Sequence, residues 1–205
     1  KRFDLSWLDI GYGMIQCARI GSVDPSFVSQ GWKDSRHAFS CLSVRTGFDL
    51  LLQALALPRG SEIIVSALTI EGMLTIIEEH GLVAVPVDLD IDTLAPKAEQ
   101  IESLITDKTK LVLVAHLFGS TIDLEAIAGL AQRHQLLLIE DCAQQFDGMP
   151  EGKQDIADVS MYSFGPIKTA TALGGAVFSV ARKELADQLT QLESQYPKRS
   201  RSFFF

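Results

Sequence analysis

The stretch KLVLVAHLFGSTIDLEAIAGLAQRHQLLLIED, residues 110–141, decides the fold. It contains two apolar runs of strand length, residues 110–118 and 136–141, on either side of residues 124–134, whose apolar side chains recur at helical spacing. Both runs are too continuous for strands with one exposed face, so they are predicted to be buried. A strand, a helix and a second strand in this order predict a parallel pair joined by a crossover helix.

The same alternation extends in both directions. Helices are predicted at residues 48–57, 71–80, 97–105 and 183–196, and strands at residues 62–68, 83–90, 159–165 and 174–180. The last two strands are joined by a loop that contains Lys168. We therefore predict an α/β fold in three layers, α/β/α, with a mostly parallel central sheet. Residues 40–205 are expected to form one domain, preceded by an N-terminal arm of residues 1–39.

Composition excludes several classes of function. Eighteen Lys and Arg against 26 Asp and Glu give a net charge of −8, the wrong sign for binding a nucleic-acid backbone. The three cysteines are widely spaced and form no CxxC pair, so neither a zinc site nor a disulfide framework is predicted. No apolar run approaches the roughly 20 residues that span a bilayer. A cytoplasmic protein that binds no membrane and no resident metal is expected.

Three places at the ends of predicted strands could carry chemistry, because ligands of α/β proteins gather at the carboxyl edge of the sheet. Asp141 directly follows a buried strand. Residues 43–47, SVRTG, precede a helix whose N-terminus could hold an anion. Lys168 has no acidic neighbour in sequence and lies among small residues. The structural alternatives are a turn residue for Asp141, a helix cap at Ser43 or Thr46, and a surface loop for Lys168.

His116 ends the buried strand 110–118. Two interpretations of this histidine stay open: it faces a ligand, or it is satisfied by hydrogen bonds inside the core.

Several stretches together, in this order, resemble the DegT/DnrJ/EryC1/StrS family of sugar aminotransferases, which are pyridoxal-phosphate enzymes of fold type I. The stretches are GSEIIVSALT, VPVDLDIDTLAP, TKLVLVAHLFGS, LLLIEDCAQQFDG and VSMYSFGPIKTATALGGAV. The pairing of EDCAQ with SFGPIK is the most specific part. The resemblance implies the large domain of such an enzyme and pyridoxal 5′-phosphate as its cofactor.

The resemblance also implies roles for individual residues. Lys168 would form the Schiff base with the cofactor aldehyde and move the proton between Cα and C4′. Asp141 would pair with the pyridinium nitrogen, so that the ring can accept electrons from the substrate. Gln144 would contact the O3′ side of the ring. Ser163 would bind the phosphate, together with the turn formed by Arg45, Thr46 and Gly47.

The sequence departs from the family pattern at two places. Ile70 follows Thr69 where the family often has an aromatic residue that stacks on the cofactor, which leaves Met73 or His116 as alternatives. The usual GEGG after the lysine is reduced to LGG, residues 173–175. The chain is also shorter than family members, so the C-terminal small domain is expected to be missing.

The function implied by the resemblance is conversion of a keto group, on a nucleotide-linked sugar, to an amine, with glutamate or a similar donor. A homodimer is implied in the same way. Related sugar dehydratases resemble the family with histidine at the lysine position, so Lys168 argues against that activity. A regulatory protein that keeps the fold without catalysis is the remaining alternative.

Overall fold

The computed structural model describes residues 6–18, 32, 36–146, 156–168, 170–172 and 174–197. Seven strands form one sheet: β1 (His37–Cys41), β2 (Glu62–Ser66), β3 (Val83–Val87), β4 (Thr109–Ala115), β5 (Leu137–Asp141), β6 (Val159–Ser163) and β7 (Ala176–Val180). The described helices are α1 (Trp7–Ala18), α2 (Val44–Leu55), α3 (Glu71–Glu79), α4 (Ala98–Leu104), α5 (Glu125–Arg133) and α6 (Lys183–Ser194). The expectations for the two chain ends and for Leu173 lie outside the described residues.

The sheet is mostly parallel, as predicted. Its strand order is β1-β7-β6-β5-β4-β2-β3. β3, β2, β4, β5 and β6 run parallel to one another. β7 returns antiparallel between β6 and β1. Pro86 lies in β3, an edge strand, where the missing N–H of proline is tolerated.

Two hydrophobic cores, one on each face of the sheet, make the three layers. Successive strand residues point to opposite faces. Accordingly Ile63 and Val65 of β2 pack with α2, α3 and α6, whereas Ile64 packs on the other face with α4 and α5. Because helices cover both faces, the strands carry apolar residues at consecutive positions. This confirms the predicted α/β/α architecture. No helix among the described residues is both long and apolar enough to cross a membrane.

The first strand of the sheet was not predicted. β1 begins at His37, three residues before the expected domain start at residue 40, and pairs antiparallel with β7 across more than a hundred residues of sequence. Its sequence, HAFSC, has no strong strand pattern, so long-range pairing with β7 determines its conformation. The N-terminal helix α1 was also not predicted; Ser6 and Asp9 exchange hydrogen bonds at its start.

Helix α2 begins four residues earlier than the predicted Phe48. Ser43 is its N-cap, and Ser43 Oγ accepts a hydrogen bond from the backbone N–H of Thr46 (3.1 Å). The cap satisfies an N–H that the first turn of a helix leaves unpaired. Arg45, Thr46 and Gly47 therefore lie in the first turn of the helix rather than in a turn before it.

Gly47 allows α2 to pack closely on the sheet. A Cβ atom at this position would lie 2.3 Å and 2.4 Å from two ring carbons of Phe178 in β7, and 2.8 Å from Cys41 Sγ. The Phe178 ring is completely buried and cannot move aside without disturbing the core. Close packing between helix and sheet thus requires glycine at position 47.

We expect Gly47→Ala to lower the free energy of unfolding by roughly 1–3 kcal/mol, since it overpacks the contact with Phe178. The matched control is Gly129→Ala in α5, where the nearest atom to a new Cβ is the flexible tip of Arg133 at 3.8 Å. That variant should raise the free energy of unfolding by roughly 0.5–1 kcal/mol, because alanine favours helix over glycine. Chemical denaturation of both variants measures the difference, and equal effects would contradict the packing role of Gly47.

Candidate active site

A cavity of about 230 Å³ lies at the carboxyl edge of the sheet. Its walls come from the carboxyl ends of three parallel strands and the residues just beyond them, together with Lys168 from the β6–β7 loop. The wall residues near the strands are Leu68, Thr69 and Ile70 near β2, Ala115, His116, Leu117 and Phe118 near β4, and Asp141, Ala143 and Gln144 near β5. The parallel strands end at one edge of the sheet, so residues distant in sequence meet there. This is the position at which α/β sheets bind ligands.

A second cavity of about 320 Å³ adjoins the first and shares four wall residues with it: Ile70, Ala143, Gln144 and Lys168. Ser163, at the end of β6, lines this second cavity. The structure therefore brings together four of the seven residues that were predicted to bind the cofactor, namely Asp141, Gln144, Ser163 and Lys168. Lys168 and Gln144 lie where the two cavities meet.

Asp141 is the last residue of β5 and is partly buried. Its Oδ1 accepts a hydrogen bond from the backbone N–H of Ala143 (2.9 Å). Burial raises the pKa of the Asp141 carboxyl above its ordinary value, while the Ala143 N–H and the positive charge of Lys168 act in the opposite direction. Burial has the larger effect, so the carboxylate form of Asp141 is costly here in spite of the Lys168 charge.

The β6–β7 loop folds back so that Lys168 reaches the edge of the sheet. The backbone N–H of Lys168 donates to the carbonyl of Gly165 (3.0 Å), which closes a turn. The N–H of Ala172 donates to the carbonyl of Phe164 (3.0 Å), and the N–H of Phe164 donates to the carbonyl of Gly175 (3.0 Å). Lys168 is half-buried between the two cavities, so the interpretation as an ordinary surface-loop lysine is not supported.

The N-terminus of α2 lies at the same edge of the sheet. In the register of the strands, Ser163 of β6 pairs with Ala176 of β7, which pairs with Cys41 of β1, just before the Ser43 cap. Thr46 Oγ1 and Ser43 Oγ are hydrogen bonded (3.0 Å).

Arg45, Thr46 and Gly47 are not among the described residues that line the two cavities. Arg45 is exposed at the start of α2, and its Cδ lies 2.9 Å from the position of a Cβ built on Gly72. A role of these three residues in phosphate binding stays a prediction.

His116 lines the first cavity, but its ring is satisfied inside the core. Nδ1 accepts a hydrogen bond from the backbone N–H of Ile122 (3.1 Å), so Nε2 carries the proton and donates to Glu140 Oε2 (3.0 Å). The histidine is 1% exposed and Glu140 is 7% exposed. Of the two interpretations of His116, the structure supports the core histidine.

The other members of this buried network, Glu140, Ser160 and Arg36, were not predicted. Ser160 Oγ donates to Glu140 Oε1, and Arg36 donates to Ser160 Oγ (3.3 Å) and to the carbonyl of Asp158 (2.6 Å). The signal in the sequence was Glu140 itself. Successive residues of a strand point to opposite faces of the sheet, so Glu140 and Asp141 face different sides. A carboxylate that points into a core requires hydrogen-bond donors there.

The residues considered for stacking on a cofactor ring lie in different places. Ile70 lines both cavities and is 52% exposed. Met73 is 1% exposed and belongs to the core beneath α3. Phe118, which was not considered, lines the first cavity and is 71% exposed.

The chain resembles known proteins over most of its length. The model of the DegT/DnrJ/EryC1/StrS aminotransferase family matches residues 30–203. The UDP-4-amino-4-deoxy-L-arabinose–oxoglutarate aminotransferase of Shewanella sediminis is 33% identical over 163 residues, which are 78% of this chain and 41% of that protein. The pleiotropic regulatory protein of Geobacillus stearothermophilus is 34% identical over 157 residues, 75% of this chain and 42% of that protein.

Solved structures of aminotransferases are also similar to this chain. The DesV protein of S. venezuelae, in complex with a ketimine intermediate, superposes with a TM-score of 0.75 at 26% identity, covering 91% of this chain and 52% of DesV. The likeness confirms the predicted fold of a fold type I pyridoxal-phosphate enzyme. Aminotransferases of the matched family depend on pyridoxal 5′-phosphate, which confirms the predicted cofactor. The chain spans about two fifths of the length of the two curated relatives.

Proposed function

Because the chain belongs to the DegT/DnrJ/EryC1/StrS aminotransferase family, we propose that it is the cofactor-binding part of an aminotransferase. The reaction would convert a keto group on a nucleotide-linked sugar to an amine, with glutamate or a similar amino acid as donor. One observation carries this proposal: the amine of Lys168, from the β6–β7 loop, and the carboxyl of Asp141, at the end of β5, line the same cavity.

The residues of this cavity suit pyridoxal 5′-phosphate. Burial disfavours the anionic form of the Asp141 carboxyl, and a protonated ring nitrogen beside it would favour that form. Lys168 lines the same cavity and could supply the amine that binds the cofactor aldehyde. Ser163 offers a hydroxyl in the adjoining cavity, where a phosphate could be held.

Each side chain then has a separate task. When bound, pyridoxal 5′-phosphate supplies an electron sink for the bond broken at the substrate Cα. Lys168 Nζ would hold the cofactor aldehyde and would move the proton between the substrate Cα and C4′. Asp141 would keep the ring nitrogen protonated. Gln144 would contact the O3′ side of the ring, and Ser163, with Arg45, Thr46 and Gly47, would bind the phosphate.

The sugar substrate and the amino donor are supported by the relatives. The name of the Shewanella protein describes transfer between an aminated UDP-sugar and oxoglutarate, the keto acid that glutamate leaves behind. The Lys168 amine, retained here at the position implied by the family motif, is required for amino transfer. A dehydratase, which resembles the family with histidine at this position, is not favoured.

A regulatory function is the second candidate, and one observation favours it: the relative in Geobacillus stearothermophilus is named a pleiotropic regulatory protein. A regulator could keep the fold and the cofactor cavity without turning over a donor. The two candidates differ in whether the bound cofactor reacts with an amino acid.

Addition of glutamate to the protein loaded with pyridoxal 5′-phosphate separates the two candidates. An aminotransferase should lose its visible cofactor band and release one oxoglutarate per site, measured by a coupled dehydrogenase assay. The control donor is 2-hydroxyglutarate, which has the same carboxylates and no amine. A stable cofactor band and no oxoglutarate in the presence of glutamate would reject amino transfer from this donor and favour the regulatory candidate.

The homodimer and the cytoplasmic location remain predictions from the sequence and the family resemblance. Sedimentation of the protein, with and without cofactor, would measure the oligomeric state.

A further inference from the structure

The segment that follows β4 is tied to the segment that follows β5 by two glutamine side chains. We call residues 116–122 the β4–α5 loop. In this loop the backbone N–H of Phe118 donates to Gln144 Oε1 (3.0 Å), and Thr121 Oγ1 accepts from Gln145 Nε2 (3.2 Å). Gln145 is 8% exposed, so its side chain is held inside the protein while Gln144 faces the cavities.

The β4–α5 loop has a well-defined shape of its own. The N–H of Ile122 donates to His116 Nδ1 (3.1 Å), and the N–H of Ser120 donates to the carbonyl of Leu117 (2.9 Å). Phe118 and Gly119 are both left-handed, with φ of 55° and 85°. A phenylalanine rarely adopts this conformation, and the surrounding hydrogen bonds hold it there. As a result the Phe118 N–H points out of the loop toward Gln144.

The bond to Phe118 decides which way the Gln144 amide faces. A glutamine amide has one oxygen that accepts and one nitrogen that donates two hydrogens, and the two ends are told apart by their partners. An N–H donor at Phe118 requires the oxygen there. The donor end, Nε2, is consequently the end that remains for the two cavities, which Gln144 and Lys168 both line.

We infer that the Phe118 N–H is a positioning group: it orients the Gln144 amide so that a hydrogen-bond donor faces the cofactor, and the Thr121–Gln145 contact keeps the loop in place for this. The inference rests on the proposed function. A donor at this point stabilises an ionised phenolic oxygen of the cofactor, because hydrogen bonding to the charged form favours that form. Gln144 thereby lowers the pH at which the bound cofactor loses its proton.

The test is a pH titration of the visible absorption of the protein loaded with pyridoxal 5′-phosphate, for the wild type and three variants. Gln144→Glu keeps an oxygen for the Phe118 N–H but places an anion where the donor was, and because residue 144 is exposed the glutamate is ionised at neutral pH. Thr121→Val removes only the contact with Gln145. Gln132→Glu adds the same charge on an exposed residue of α5, close to the opposite edge of the sheet.

We expect Gln144→Glu to raise the midpoint of the titration by about 1–2 pH units, since a nearby like charge disfavours an anion. Thr121→Val should raise it by less, and Gln132→Glu should leave it unchanged. If Gln144→Glu shifts the midpoint no more than Gln132→Glu, the donor orientation is wrong. If Gln144→Glu shifts it and Thr121→Val does not, the positioning role of the loop is wrong. A wild-type protein with no visible band would instead reject the proposed function.

Discussion

Replacement of Lys168 by alanine is expected to lower the rate of amino transfer by roughly 10³-fold, in the range that loss of a positioned proton-transfer group produces. Asp141 and Ser163 could still bind the cofactor in the variant. The Lys168 amine, however, would no longer be present to bind the cofactor aldehyde or to move the proton from Cα. Lys168→Arg should be equally inactive, although it keeps the positive charge beside Asp141, because a guanidinium is not a nucleophile at neutral pH.

The matched control for this prediction is Lys110→Ala, which removes an exposed lysine in β4 whose Nζ donates to the carbonyl of Asp107 (2.8 Å). Its activity should equal that of the wild type. The measurement is the single-turnover rate of oxoglutarate formation from glutamate, with circular dichroism to show that each variant is folded. Retention of more than about a tenth of the wild-type rate by Lys168→Ala would assign the chemistry to another residue.

Replacement of Asp141 by asparagine is the second large effect. A buried contact between opposite charges is worth roughly 2–5 kcal/mol when one partner is removed, so amino transfer should fall by at least about 30-fold. Affinity for pyridoxal 5′-phosphate should fall as well. Asp92→Asn is the control, since Asp92 is exposed in the turn before α4. An Asp141→Asn variant with wild-type rate and affinity would contradict a contact with the ring nitrogen.

Without cofactor, the same substitution should stabilise the protein. Burial raises the pKa of Asp141 above its ordinary value of 3.8, so ionising the carboxyl at neutral pH costs folding free energy. The cost is absent below pH 3.8, where the carboxyl is protonated in both states, and appears as the pH rises through the folded pKa. Cofactor-free Asp141→Asn should thus have a higher Tm than the wild type at pH 7, and the difference should vanish toward pH 3.

Opposite effects on stability and activity would be diagnostic, because a residue kept only for the fold would not destabilise it. Thermal denaturation of the cofactor-free proteins at pH 7 and at pH 3 provides the comparison. A lower Tm for Asp141→Asn at pH 7 would mean that the hydrogen bond from the Ala143 N–H outweighs the cost of burial.

Much of the fold follows from the sequence because the strands are buried on both faces. Continuous apolar runs such as residues 110–118 alternate with segments of helical spacing such as residues 124–134, in the order of βαβ units. Crossover connections are right-handed and successive strands tend to be neighbours, so few sheet topologies remain. β1 was not predicted because its five residues show no alternation of apolar and polar side chains, and its conformation depends on pairing with β7 far along the chain. The start of α2 was not predicted because the helical spacing of apolar residues begins at Phe48, after the first turn.

The sequence allowed the positions of four candidate residues to be predicted, but not their contacts. Asp141 and Ser163 end strands, Gln144 follows a strand and Lys168 lies in a strand-joining loop, and the structure brings all four to two adjoining cavities. Their roles toward a cofactor stay predictions. The role of Gly47 in packing could not be foreseen, since it requires the position of the Phe178 ring. The orientation of the Gln144 amide depends on the backbone N–H of Phe118, which lies in a left-handed turn. The sequence around Phe118 contains no pattern that predicts this turn.

The most direct test of the central claim is to reduce the protein loaded with pyridoxal 5′-phosphate with borohydride, digest it and locate the modified lysine by mass spectrometry. The expected result is one phosphopyridoxyl group per chain, on Lys168, and none on Lys168→Ala under the same conditions. A folded protein that carries the group on another lysine, or that carries none, would contradict the assignment of Lys168 as the residue that holds the cofactor.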